Sequence, residues 1–227
     1  MSCSRRDWES VTLNPAKVVV VDYGMGNLFS VRRALEHVGA KVELCADADA
    51  VTSASKIILP GVGAFADGMA ELCRLGLDVA LRQAAQRRTP ILGICLGMQM
   101  LFDSSEEFGH STGLGLIPGR VVGIPSVGEK GVQRKIPHTG WNDLAVPGAL
   151  VRWRNSMLEP VTEGCSVYFV HSFMAVPDDP ADCLAICMYD GLAITAAVSR
   201  QNVSGCQFHP EKSGQIGLEI LKYFSNL

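Results

Sequence analysis

From Lys17 onward the apolar positions fall into a regular succession of strand and helix patterns. Lys17 to Val21 is a continuous β-branched run of the kind buried on both faces. A glycine turn, Gly24-Met25-Gly26, follows, and then helical spacing from Leu28 to Val38. Val42-Glu43-Leu44 and Ile57-Ile58-Leu59 read as further strands, and Phe65 to Arg88 carries a helix through Met69, Leu72, Leu77 and Leu81. Ile91 to Ile94 is the next strand. This alternation predicts an α/β fold with a doubly wound, mostly parallel sheet between two helical layers.

From Leu114 the glycine and proline content rises and the strands shorten, as in Arg120 to Ile124 and Tyr168-Phe169-Val170, so an antiparallel extension is expected. Leu184 to Tyr189, Ala193 to Val198 and Val203 to Phe208 predict three closing strands around Asp190-Gly191 and Gln201-Asn202 turns. Ile216 to Phe224 predicts a last helix. Residues 1–16 are polar, lack periodicity and end at Asn14-Pro15, which reads as a loose extension before a single domain over 17–227.

Composition narrows the function classes. The 227 residues are 48% hydrophobic and 19% charged, which suits one domain with a large core. A net charge of -3 without a basic cluster argues against nucleic acid as main partner. No apolar run approaches bilayer length and the first residues lack a signal-peptide core, so the expected location is the cytoplasm. The eight cysteines form no CxxC pair and lie in apolar runs, which reads as reduced core residues rather than disulfides or a metal site.

Cys95 alone has a special context. It sits in Gly93-Ile94-Cys95-Leu96-Gly97, between a strand pattern and a helical one (Leu96, Met100, Leu101). That is the cysteine form of a nucleophile elbow, in which a sharp turn stands the side chain above the sheet. N-H groups at the start of a following helix would favour thiolate over thiol. The competing reading is a structural cysteine at a strand end.

A thiol nucleophile needs a base, and the base an orienting acceptor. Gln207-Phe208-His209-Pro210-Glu211 offers both, since Glu211 could reach the His209 imidazole across a stiff proline turn. A lone histidine at a strand end is ordinarily structural; joined to an elbow cysteine earlier in the chain, it stands in the expected order. Zinc would be a rival use of these residue types, but no closely spaced ligand pair is present. Oxyanion donors could come from the N-H of Leu96 and from the glycine-rich Pro60-Gly61-Val62-Gly63 segment, which could equally be an ordinary strand-to-helix turn. Gly24-Met25-Gly26 fails as a dinucleotide fingerprint, because the third glycine position is Phe29 and no acidic residue ends the next strand at the usual distance. No cofactor is expected.

Gly93 to Gln99 with His209-Pro210-Glu211 resembles the class I, triad-type glutamine amidotransferases, whose sheet is flavodoxin-like. Within that family Asp22 to Asn27, Pro60 to Gly63, Pro137-His138-Thr139-Gly140-Trp141-Asn142, Tyr168 to Ser172 and Gln207 to Ser213 are similar to the glutaminase subunits of imidazole glycerol phosphate synthase. The resemblance implies that Cys95 forms a glutamyl thioester, that His209 is base and then acid, and that Glu211 orients it. It implies glutamine contacts at Gly61, Gly63, Gln99, Ser172 and Phe173, with oxyanion donors at Val62 and Leu96. Asn27, His138, Trp141, Asn142, Tyr168 and His171 would lie toward a (β/α)₈-barrel cyclase that receives the ammonia. Such a barrel needs roughly 250 residues, so a separate polypeptide and a heterodimer are expected. Trp141 could by composition alone be a core residue instead of an interface anchor. The glutaminase of another synthase, and a non-enzymatic binding protein on the same fold, remain alternatives.

Overall fold

The computed structural model describes residues 17–128, 131, 133–148 and 153–227; the expected N-terminal extension lies outside them. The first half runs β1 (Lys17–Val21), α1 (Leu28–His37), β2 (Lys41–Cys45), α2 (Ala48–Thr52), β3 (Ile57–Gly61), α3 (Phe65–Arg74), α4 (Leu77–Gln86), β4 (Ile91–Cys95) and α5 (Leu96–Met100). Then come β5 (Phe102–Ser105), β6 (Ser111–Thr112), β7 (Ile117–Gly123), β8 (His138–Asp143), β9 (Ser166–His171) and β10 (Phe173–Pro177). The chain closes with β11 (Cys183–Tyr189), β12 (Leu192–Arg200), β13 (Val203–Cys206) and α6 (Gly214–Ser225).

The main sheet has the order β11-β12-β13-β4-β3-β1-β2. Read from β2, the five strands through β13 are parallel and follow a flavodoxin-like order. β12 and β11 continue the sheet antiparallel. Because successive side chains of a strand point to opposite faces, the valine run 18–21 of β1 serves two cores. Val18 and Val20 join α1 and α6 residues (Val31, Leu35, Ile220, Leu221) in one. Val19 and Val21 join Phe65, Leu72, Leu77 and Leu81 of α3 and α4 in the other. The expected three layers follow from that division.

One expectation is corrected. Phe65 to Arg88 is not a single helix but two, broken at Gly76, whose φ of +68° is left-handed. The Gly76 N-H closes α3 on the Cys73 carbonyl at 3.1 Å. Both helices pack on the same core, so the apolar period survives a break it does not reveal.

Besides the antiparallel β12–β11 extension of the main sheet, the middle of the chain builds two smaller sheets. One has the order β10-β7-β5-β6, and the other is the ribbon β8-β9. In the ribbon His138 pairs with His171 and Trp141 with Tyr168. Period-2 alternation then turns His138, Val167, Phe169 and His171 inward, while Trp141 faces solvent. No helix among the described residues is long and apolar enough to cross a membrane.

Candidate active site

The C-terminal ends of β3, β4 and β13 converge, and the residues just beyond them form the site. Cys95 ends β4 with φ +55° and ψ -110°, a conformation that L-residues rarely adopt. Neither flanking glycine owes its place to an unusual φ; both are needed for close approach. A Cβ on Gly97 would lie 1.8 Å from the Leu59 carbonyl oxygen, and one on Gly93 would lie 2.7 Å from the Met98 backbone. The elbow therefore presses against β3, whose Gly61 is paired in register with Cys95. The helix behind Cys95 is a single turn, shorter than the sequence pattern suggests, before the chain re-enters a strand at Phe102. A turn that short brings nearby N-H groups but little cumulative dipole.

His209 follows β13 and is tied to the ribbon by its backbone. Its N-H donates to the Tyr168 carbonyl at 2.9 Å, and its carbonyl accepts from Ser213 Oγ at 2.7 Å. Ser213 Oγ in turn accepts from the Tyr168 N-H at 3.0 Å. The Glu211 carboxylate meets His209 Nδ1 at 2.8 Å, both side chains being almost wholly buried. Burial works against a charged His209, but Cys95 and Glu211 outweigh it and raise the imidazole to about 9. His209 Nε2 is buried without a well-formed hydrogen bond. Cys95 is thus near enough to bias the imidazole, while the contact falls short of ordinary hydrogen-bond geometry.

A cavity of about 370 Å³ opens on these groups. Val62, Gly63, Leu96, Gln99, Ser172 and Phe173, all expected at the substrate, line it together with Cys95 and His209. Gly61 lies just behind, where a Cβ would meet the Tyr23 hydroxyl at 2.4 Å. That hydroxyl donates to the Pro60 carbonyl at 2.9 Å, and burial, with Cys95 second, pushes its pKa up so that it stays a donor. Tyr23 was not singled out from sequence. Neither was Glu107, which borders the cavity while its Oε2 accepts from the Phe65 N-H at 2.7 Å. The acidic pair Glu106-Glu107 after a short strand was the only available signal.

The residues expected toward a partner divide. Trp141 is 58% exposed, which removes the core reading, and it packs edge-on against Tyr168 with ring centroids 6.1 Å apart. His138 and His171 are buried, contrary to a surface role, because they share the ribbon's inner face. Asn142 is half-buried, donating to the Met188 carbonyl at 2.9 Å. Asn27 caps α1, accepting from the Ser30 N-H at 3.4 Å. Among the described residues no group of three or more His, Cys, Asp or Glu side chains could hold a metal ion.

The family model for class-I glutamine amidotransferases matches residues 19–225. The chain belongs to this family. Among curated class I amidotransferases it is 48% identical over 209 residues to imidazole glycerol phosphate synthase subunit HisH 1 of Legionella pneumophila (strain Lens), covering 92% of this chain and 98% of that one. It is 46% identical over 212 residues to subunit HisH of Moorella thermoacetica, covering 92% and 94%. The amidotransferase fold is matched by the solved structure of PurLQS from Thermotoga maritima at a TM-score of 0.67, with 23% identity over 93% of this chain and 98% of that one.

Proposed function

We propose that this chain is the glutaminase subunit of imidazole glycerol phosphate synthase in histidine biosynthesis, and that it passes ammonia to a separate (β/α)₈-barrel cyclase in a heterodimer. The observation that carries the chemistry is the strained Cys95 elbow facing a buried His209–Glu211 pair in one cavity. The curated relatives named as HisH subunits support the pathway.

Cys95 gives up its proton to His209, whose basicity the neighbouring Cys95 and Glu211 maintain against burial. The thiolate adds to the side-chain amide carbon of glutamine, and the carbonyl electrons move onto oxygen, where the N-H groups of Leu96 and Val62 would receive them. His209 then protonates the departing nitrogen, the C–N bond breaks, and ammonia leaves a glutamyl thioester. Neutral His209 next takes a proton from water, whose oxygen attacks the thioester to release glutamate and restore the thiolate–imidazolium pair. Glu107 suits the α-ammonium of glutamine, and Gly63 with the Ser172–Phe173 backbone suits its carboxylate end.

Trp141 and Tyr168 form the aromatic part of the face we assign to the cyclase. Rearrangement of the Gly61–Gly63 backbone, which could add or remove one oxyanion donor, would let the partner's ligand control turnover. The cysteines among the described residues are free, in keeping with a cytoplasmic enzyme.

The test is glutamate release from glutamine by the chain alone, then with a cyclase barrel and its ribonucleotide substrate, against Cys95→Ala. Turnover that needs partner and ligand and disappears in Cys95→Ala is expected. Full turnover without a partner would mean a free hydrolase, and none under any condition would leave a binding protein.

A further inference from the structure

Backbone groups of Phe173, Met188 and Asp143 dictate the donors and acceptors along a line of side chains that ends on the Cys95 sulfur. The Phe173 carbonyl can only accept. Gln99 therefore presents its amide nitrogen to that oxygen at 3.1 Å, and the second hydrogen of the same nitrogen reaches Gln207 Oε1 at 3.0 Å. With its oxygen so engaged, Gln207 must turn its NH₂ group to Cys95 Sγ, 3.7 Å away.

The same carbonyl dictates the other direction. His171 Nδ1 lies 2.8 Å from Phe173 O, so it carries the proton. Burial holds His171 neutral, with a pKa lowered to about 4, which leaves Nε2 as an acceptor. The group 3.0 Å from that Nε2 is His138 Nδ1, which must donate. Burial lowers His138 too, so its Nε2 accepts in turn, from Asn142 Nδ2 at 3.4 Å. Asn142 is oriented independently, since Nδ2 also donates to Met188 O at 2.9 Å and Oδ1 accepts from the Asp143 N-H at 2.8 Å. Assignments made from the two ends agree, and reversing any link would set lone pair against lone pair at a carbonyl.

We propose that Gln207 is a catalytic residue that donates to the Cys95 thiolate, and that a hydrogen-bond relay centred on the Phe173 carbonyl, which accepts from Gln99 on one side and from His171, itself backed by His138 and Asn142, on the other, holds it in that orientation. The relay starts on β8 beside the exposed Trp141 and ends at the reacting atom. It also gives the inward-facing histidines of the ribbon a function. A hydrogen bond to a charged sulfur in a dry site is stronger than one to a neutral thiol, so the contact favours the nucleophilic form. Gln207 is fully buried, which leaves its amide no exchange with water.

This inference rests on Cys95 being the nucleophile, and one experiment separates the two. Alkylation of the full chain by iodoacetamide is followed against pH and resolved by peptide mass spectrometry, with the exposed Cys73 as internal reference. In the wild type Cys95 should react faster than Cys73 at neutral pH; equal rates would overturn the nucleophile itself. Gln207→Glu turns an acceptor toward the sulfur and Gln207→Met removes the donor at similar volume. Each should raise the midpoint of the Cys95 profile and slow its alkylation at neutral pH by roughly tenfold, with Cys73 unchanged. The other titratable groups around the sulfur remain in both variants: His209 and Glu211 after β13, Cys206 on β13, Tyr23 after β1, His171 on β9 and Glu107 after β5. An unmoved midpoint would overturn the role of Gln207. Imidazole nitrogen NMR of the wild type tests the relay without any variant. His138 and His171 should both carry hydrogen on Nδ1, and an Nε2–H tautomer at either overturns it.

Discussion

Glu211 Oε1 lies 2.8 Å from His209 Nδ1, with side chains 1% and 3% exposed. Only Pro210 separates the two residues, and the Ser213 hydroxyl holds the His209 carbonyl, so the pair is built into one short turn. Because the carboxylate supplies part of the upward shift of His209, Glu211→Gln should lower the imidazole toward neutrality. It should also let the amide favour the wrong tautomer. Turnover of glutamine, assayed with a cyclase barrel and its ribonucleotide substrate as the proposed function requires, is expected to fall by about 10²- to 10⁴-fold, chiefly in kcat. A kcat within a few-fold of wild type would show that His209 needs no orienting acceptor.

Backbone strain at Cys95 can be isolated from its chemistry. Cys95→Ala and Cys95→Gly both remove the sulfur, but only glycine adopts φ +55°, ψ -110° without a Cβ penalty. Cys95→Gly should therefore be about 1 kcal/mol more stable than Cys95→Ala in urea unfolding, despite its greater unfolded-chain entropy. The reverse order would mean that the elbow is unstrained. Gly97→Ala probes the same contact from behind. Its methyl would sit 1.8 Å from a β3 carbonyl oxygen, so soluble expression should collapse.

Two histidines beside the cavity give stability a peaked pH dependence. Unfolded histidines titrate near 6.5, whereas burial lowers His171 to about 4, while Cys95 and Glu211 overcome burial and raise His209 to about 9. Between about 4 and 6.5 the unfolded chain binds a proton that His171 refuses, so stability falls as pH falls. Between 6.5 and 9 the folded chain keeps a proton on His209 that the unfolded chain has released, so stability present below 6.5 is lost as pH rises through 9. The thermal midpoint should peak near pH 6.5. His171→Asn should weaken the acid limb, to which His138, also lowered by burial, contributes the remainder, and His209→Asn should flatten the alkaline one. An alkaline limb that survives in His209→Asn would assign it to another group.

The legibility of the chain follows from where the physics is local. Strands β1, β3 and β4 are buried on both faces, so their apolar runs announced a parallel sheet, and the glycines around Cys95 announced the elbow. His209 and Glu211 touch across two residues, a distance that sequence can judge. The break at Gly76 was hidden because the helices on both sides face one core. Tyr23, Glu107 and Gln207 reach the site only through folding, their partners lying 37, 42 and 112 residues away. The inward turn of His138 and His171 depends on the β8-β9 register, and an alternation read without knowledge of the pairing leaves both faces open.

Trp141 is the residue at which stability and assembly separate most cleanly. It is 58% exposed, touches the Tyr168 ring edge-on, and sits opposite Tyr168 in the ribbon, where Lys212 Nζ lies 5.8 Å from the same ring. Removing an indole with so little burial should change unfolding stability by no more than about 0.5 kcal/mol. If this face receives the cyclase, the same indole would be desolvated in the complex, and aromatic anchors at such positions contribute about 2 kcal/mol or more to binding. Trp141→Ala should then weaken association with the barrel by roughly 30-fold or more in titration calorimetry, while Cys95 of the isolated chain alkylates at the wild-type rate. Unchanged affinity would move the docking face elsewhere on the molecule. A slowed Cys95 would instead mean that the indole acts on the site through β8, because Asn142, where the relay to the sulfur begins, is its next residue in the strand.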